Sequence, residues 1–252
     1  MNVSHSARPQ QERADQSRTR ILEAAIRIFS EHGLAGARTE QIARAAEVNK
    51  ALLYYYFPGK EALYEAALDL VAGRVLANSM AILSQDCSPG ERVVCFALQH
   101  FDRMHSQQGF QGLLHQEMMR MHKGEKNVWS GLAEKVFKPS TLRLLELVAE
   151  GQRNGELIDV DPWQMMYGAL GANTFFFLSM PVVARVSGRD LLTPDELQHR
   201  RTKAVEYLGT TIFVDRTEGA SVVRRVLETH PMPPVGDLSR WKRLAIHEVK
   251  QK

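Results

Sequence analysis

The sequence predicts an all-α protein, with an N-terminal three-helix domain built around a helix-turn-helix and a larger helical domain after it. Three observations predict the helical class. The stretch TEQIARAAEVNKALLYYYFPGK, Thr39 to Lys60, reads as two short helices joined by a tight turn. Apolar residues then recur at helical spacing, with helix starts marked by Ser88-Pro89, Asp161-Pro162 and Thr193-Pro194. No segment alternates apolar and polar residues convincingly enough to read as a strand.

Residues 1 to 16 are polar and read as a flexible arm, in which Arg8 and Arg13 could reach a minor groove or a phosphate. From Ser17 a first helix sets Ile21, Leu22, Ala25, Ile28 and Phe29 on one broad stripe and ends at Gly33. Thr39 is a good N-cap for the second helix, whose Ile42, Ala43 and Ala46 share a face. Glu47 and Val48 interrupt it. Asn49 can cap the third helix, which carries Leu53, Tyr54 and Phe57 on one side until Pro58 and Gly59 stop it. Two helices of about two turns joined in this way form a helix-turn-helix, whose second helix lies in the major groove while the first crosses the backbone.

A longer helix from Lys60 to about Ser84 leaves this domain. The next, opened by Ser88 and Pro89, runs to about Ser106 with Val93, Val94, Phe96, Ala97, Phe101 and Met104 apolar, and GLLHQEMMRMH forms a further short helix. The segment from Glu125 to Asn154 is periodic through Trp129, Leu132, Val136, Leu142, Leu145 and Val148, with Pro139 placed to bend it. WQMMYGALGANTFFFLSM, after Asp161-Pro162, is apolar nearly all round and must be covered on every side. Thr193-Pro194 opens a helix through Phe213. The domains expected are residues 1–16 as arm, 17–64 as helix-turn-helix domain, 65–215 as effector-binding and dimerisation domain, and 216–252 as a basic extension. Within that extension DLSRWKRLAIHEVKQK is a basic amphipathic helix, suited to packing on its own or a partner subunit, to fraying, or to contact with DNA, a membrane surface or another protein.

Charge location says more than the total of +3. Residues 1–60 carry a net +3, residues 61–215 a net −4 and the remainder +4. Basic charge therefore sits where the DNA-reading motif is. The two cysteines, Cys87 and Cys95, form no Cys-x-x-Cys pair, so a disulfide framework or zinc finger is not expected and a reducing cytoplasm fits. The polar start is no secretory signal, and no apolar run approaches a membrane span, the longest candidate being short and broken by a proline. An enzyme would need a phosphate-binding glycine loop, His-Glu-x-x-His, Gly-x-Ser-x-Gly or a paired carboxylate site, and none is found; no cofactor is expected.

Within the third helix Lys50 is the candidate for direct readout, because a lysine can donate to guanine O6 and N7. Ala51 and Leu52 offer apolar contact to a thymine methyl. Asn49 either pairs with a base or only caps the helix. The three tyrosines can meet DNA or pack in the core, with Tyr54 on the Leu53–Phe57 side and Tyr55 and Tyr56 better placed for DNA.

Together with SRTRILEAAIRIFSEHG before it, Ala35-Gly36, Arg38-Thr39, LLYYYF and Pro-Gly-Lys-Glu, this stretch resembles the N-terminal domain of the TetR/AcrR family of transcriptional regulators, over Ser17 to Leu70. Glu47 stands where the family more often has Gly, and Tyr56 where it usually has His. A side chain at a left-handed position costs on the order of 1 kcal/mol relative to Gly. The resemblance implies backbone contacts from Thr39, Tyr54, Tyr55, Tyr56 and Lys60, whose helix N-terminus, hydroxyls and ammonium suit phosphate oxygens. It implies a homodimer in which Trp163 to about Val186 and Pro194 to Phe213 pair with their copies. There Gly168, Gly171 and Ala172 either allow close approach or relieve crowding within the chain. It also implies a pocket whose occupant alters the angle of the helix after Lys60. Candidate lining residues are His100, Met104, His115, Met118, Met166, Phe175 and Phe176, each of which could equally be core, and few histidines among apolar groups suit a mainly apolar effector with a hydrogen-bond acceptor. Met118, Met119 and Met121 beside His115 and His122 are spread round a helix axis, which argues against a metal site.

The expectation is thus a cytoplasmic repressor that binds double-stranded operator DNA as a homodimer and is released by a small molecule, with no membrane partner. The alternative is a DNA-binding regulator that has no ligand and recruits a protein.

Overall fold

The computed structural model describes residues 7–107, 113–114, 117, 120–121 and 129–236. Helices follow one another as α1 (Ala7–Gly36), α2 (Thr39–Ala45), α3 (Lys50–Tyr56), α4 (Lys60–Leu83), α5 (Pro89–Ser106), α6 (Trp129–Leu132), a π-turn (Ala133–Phe137), α7 (Lys138–Arg153), α8 (Pro162–Met166), a second π-turn (Tyr167–Gly171), α9 (Ala172–Ser187), α10 (Pro194–Thr211) and α11 (Arg216–Thr229). Among the described residues the only β pairing is an isolated bridge between Leu157 and Phe213. The all-α expectation holds.

The chain divides into two compact units. The first comprises the described residues up to Val75 and those between Gly109 and Ala133; the second begins at Leu76 and resumes at Glu134. In the first unit α1 buries Ile21, Leu22, Ala25 and Phe29 alongside Ile42 and Ala43 of α2 and Leu53 of α3. Phe29 meets Tyr64 edge to face at 4.9 Å, and the Tyr64 hydroxyl donates to buried Glu117 at 2.8 Å. α1 starts at Ala7, well before Ser17, so the arm expected at 1–16 is helical from there on. Ala, Gln, Glu and Arg are strong helix formers, and Pro9 falls in the first turn where a missing N–H is tolerated. The helix breaks at Gly33, where φ is 70°.

In the second unit α5 lies at the centre. Val93, Val94, Phe96 and Leu98 pack with Leu144, Leu147 and Val148 of α7, Val205 and Leu208 of α10, and Val222, Val223 and Val226 of α11. Each such side chain contributes about 1.5–3 kcal/mol on burial. α11 is therefore core, not appendage. It is capped by Asp215, whose carboxylate accepts from the Thr217 and Glu218 N–H groups. Its Gly219 lies so close to Gly209 of α10 that a Cβ would meet the Gly209 carbonyl. A second cluster joins Phe101, Met104, Phe177, Met180, Leu191, Leu192 and Leu197.

Arg201 is 1% exposed in this interior. Its Nε and Nη2 donate to the two carboxylate oxygens of Asp102 at 2.7 and 2.9 Å, and Nη2 also reaches the His230 carbonyl at 2.8 Å. This bidentate pair ties α10 and the segment after α11 to α5.

Pro139 follows the first π-turn, which absorbs the misfit that a proline brings to an α-helix. Pro181 stands inside α9 without ending it. A proline removes one ladder bond, and the packed face at Phe177 and Met180 carries the helix past it. The expectation of no membrane-length apolar segment is accordingly corrected: Lys60–Leu83 and Pro162–Ser187 are both long and apolar enough to cross a membrane by length and composition.

Candidate nucleic-acid interface

α2 and α3 enclose a four-residue turn, Ala46 to Asn49. Glu47 adopts φ 55°, the one positive φ at a non-glycine among the described residues. The left-handed geometry anticipated at that position is present. Thr39 is not the N-cap: that place falls to Arg38, in extended conformation, whose N–H donates to Gln41 Oε1 at 3.3 Å. Thr39 is the first helical residue and is buried, its hydroxyl 3.1 Å from the Tyr54 hydroxyl. It is held by α3 rather than free at the helix end.

Asn49 caps α3, its Oδ1 accepting from the Leu52 N–H at 2.7 Å. One side of α3 is locked inward by Leu53, fully buried, and by Phe57 just beyond the helix, on whose ring the Arg18 guanidinium sits at 5.6 Å. Lys50 and Ala51 are exposed at the opposite side of the first turn, Leu52 is half-buried, and Tyr55 is 81% exposed. The Lys50 ammonium is ion-paired with Glu40 of α2 and lies 5.7 Å from the Tyr54 ring centroid. Hydrogen bonding and charge in this pair hold the Glu40 carboxyl below, and the Lys50 ammonium above, their ordinary values. Tyr54 is 41% exposed, and Tyr56 is half-buried with its ring edge-on to Tyr55 at 5.3 Å. Lys60 donates weakly to the Ala35 and Ala37 carbonyls at 3.4 Å, closing the turn between α1 and α2.

The expected effector residues do not gather at one cavity. Met104 is core, packed with Phe101 and Phe177. Met166 packs on the edge of the larger cluster beside a void of only about 10 Å³. Phe176 takes the Arg200 guanidinium at 5.3 Å from its ring. Phe175 is 67% exposed, so it lines no interior pocket of this chain: the π-turn before α9 sets it outward with Leu178, Val182 and Val186. His100 has an Nδ1 that is buried without a hydrogen bond, and burial, with Arg103 nearby, pushes its imidazole down to about 3. His115, Met118, Met119, His122 and the side chain of Trp129 lie outside the described residues, as do the side chains at 8 and 13 and everything from Asp237.

Trp163, Tyr167, Phe175, Leu178, Val182, Val186 and Tyr207 form an exposed apolar stripe along α8, α9 and α10. Gly168 and Gly171 beside it have open space where a side chain would go, so they relieve no crowding within the chain. Among the described residues no three His, Cys, Asp or Glu side chains cluster to hold a metal.

Sequence reading missed the Arg201–Asp102 pair and buried Arg103. A signal existed: Arg201 falls on the stripe Leu197, Arg201, Val205, Leu208, an ionised residue at a core register.

A short two-helix reader on a three-helix support, followed by a separate helical body, defines a class of DNA-associated bacterial regulator, and comparison with known proteins agrees. The family model for bacterial regulatory proteins, tetR family, matches residues 21–67, and that for the tetracyclin repressor-like C-terminal domain matches residues 89–208, together about two thirds of the chain. The chain belongs to the TetR family. It is 58% identical over 48 residues to the HTH-type transcriptional regulator RutR of Escherichia coli, a match covering 19% of this chain and 23% of that protein. It is 43% identical over 58 residues to the HTH-type transcriptional repressor NicS of Pseudomonas putida, covering 23% of this chain and 27% of that one. The chain thus spans about a quarter of the length of these curated relatives. The structure of the ketosteroid transcriptional regulator KstR2 of Mycobacterium tuberculosis shares the fold, with a TM-score of 0.61 at 18% identity over 79% of this chain and 95% of that one.

Proposed function

We propose that the chain is a cytoplasmic, dimeric, sequence-specific DNA-binding transcriptional regulator, a repressor that a small molecule releases from its operator. The observation that carries this reading is the exposed first turn of α3, where Lys50 and Ala51 face outward while Leu53 anchors the other side of the helix. In this reading Lys50 donates to a guanine edge, and Ala51 and Leu52 contact a thymine methyl. Tyr55, Tyr56 and Lys60 grip phosphates and set the register, with Thr39 and Tyr54 bracing the two helices against each other. The family model for bacterial regulatory proteins covers this part of the chain, and NicS, a relative, is by name a repressor.

One such helix reads only a few base pairs, so two are needed, about 34–36 Å apart in successive major grooves. The exposed stripe on α8 to α10, with open space at Gly168 and Gly171, supports a second copy of this chain as its cover. A ligand that moves operator occupancy from nearly all to nearly none must favour the non-binding conformation by about 5 kcal/mol. KstR2, by name a ketosteroid transcriptional regulator, is a structural neighbour that fits ligand control. The void of about 100 Å³ lined by Asn173 and Arg200 is too small for most ligands, so an effector would have to use another site.

Selection of operator fragments from a random duplex pool, followed by footprinting, tests the proposal. The expected result is a pseudo-palindrome with half-sites about one helical turn apart. Failure to enrich any sequence overturns it.

A further inference from the structure

On α5 two adjacent charged residues have opposite fates. Asp102 is fully engaged by Arg201. Arg103, only 7% exposed, makes among the described residues a single hydrogen bond, Nη1 to Gln99 Oε1 at 2.7 Å, and no ion pair with a carboxylate. A guanidinium carries five N–H donors, and a buried cation without a counter-charge is destabilising. Burial draws its pKa down to about 10, opposed by the charge of Asp102.

Arg103 lines an open groove of about 380 Å³ within the second unit. Ile82 of α4, Leu98 of α5 and Pro231 supply apolar wall, while Gln99 and Ser106 flank the guanidinium with polar groups. His230 and Pro231 lie beyond residue 208, where the family match ends, and none of His100, Met104, Met166, Phe175 or Phe176 lines this groove. The site is therefore built partly by the chain's own C-terminal segment.

We infer that this groove binds a small organic carboxylate, the anion paired with Arg103 and a short aliphatic or aromatic body laid against Ile82, Leu98 and Pro231. A single unmatched cation matches a monoanion, and the neighbouring carboxylate of Asp102 disfavours a more highly charged one. The volume is of the order that small-ligand sites have. The inference gives a chemical class to the effector of the regulator reading and rests on that reading only for its consequence at the operator.

The probes are the n-alkanoates from butyrate to decanoate and benzoate, titrated calorimetrically into the full-length chain, with the matching primary amides and inorganic phosphate as controls. At least one carboxylate is expected to bind saturably, with its amide and phosphate weaker by about tenfold or more, a difference of about 1.4 kcal/mol. Arg103→Gln should weaken that carboxylate by at least about tenfold. Gln99→Glu places a carboxylate one turn from Arg103, so it should raise the melting temperature of the free protein and cancel binding. That variant separates loss of the site from loss of the fold. The inference is overturned if no carboxylate binds, if the amide or phosphate binds as well, or if Gln99→Glu binds unchanged. A carboxylate that binds this groove yet leaves operator occupancy untouched counts against ligand control of DNA binding, not against the site.

Discussion

Lys50 on α3 is held by the carboxylate of Glu40 on α2, so the side chain proposed to read a base already has an anionic partner in the free protein. DNA must take Lys50 from Glu40, or Glu40 must turn aside. Lys50→Ala should lower discrimination at one operator position by about tenfold or more, while affinity for random duplex falls much less. Glu40→Gln should raise affinity on every sequence and steepen its salt dependence. Competition binding at several salt concentrations checks both, and an equal loss on all sequences for Lys50→Ala removes its base-reading role.

Glu47 holds a left-handed conformation that glycine adopts without strain. Glu47→Gly should stabilise the protein by about 1 kcal/mol, which raises the melting temperature by about 2–4 °C. Glu47→Val should do the reverse. A thermal scan of the three proteins decides it.

The Arg201–Asp102 pair is buried, so losing one partner strands the other. Arg201→Met should cost about 3–5 kcal/mol in urea unfolding. Burial pushes the Asp102 carboxyl up, but the paired hydrogen bonds and the charge of Arg201 outweigh it and leave its pKa below the ordinary value. A carboxyl depressed in the folded state adds stability above its unfolded pKa and loses it as pH falls through the folded one. The Arg201 contribution should therefore persist through mildly acidic pH and fail only below the usual carboxylate range.

His100 is also depressed, but mainly by burial, and its window lies at higher pH. Its imidazole is driven down to about 3 from 6.5, so the unfolded chain takes up the proton first. Stability should be complete above about pH 6.5 and decline toward pH 3. His100→Leu should flatten that decline, measured as the urea midpoint at neutral pH and at pH 5.

Val182→Asp, in the middle of the exposed stripe, should turn a dimer into a monomer without unfolding it. Sedimentation velocity and far-UV circular dichroism measure the two halves of that statement. A variant that still sediments as a dimer moves the interface elsewhere.

The helix-turn-helix was legible because its signals are local: Asn49 beside its helix, the Leu53 and Phe57 spacing, and a non-glycine at a turn that favours glycine. Assignments that depended on what lies across the fold fared worse. Thr39 resembles a cap by residue type, but Arg38 takes the position and the Thr39 hydroxyl meets Tyr54, 15 positions away. Arg201 and Asp102 are 99 positions apart, and nothing in either neighbourhood specifies the partner. Phe175 has the hydrophobicity of a pocket residue, and only the winding of the preceding turn sends it outward.

That π-turn, Tyr167–Gly171, is a phase adjuster. Each residue of an α-helix advances about 100° around the axis. If the same residues were wound as ordinary α-helix throughout, that turn would advance by about one residue's angle more, and Phe175, Leu178, Val182 and Val186 would be rotated together by roughly 100° relative to Trp163. Composition would be unchanged, yet the two ends of the stripe would face different directions, and the surface proposed to seat a second copy would no longer be continuous.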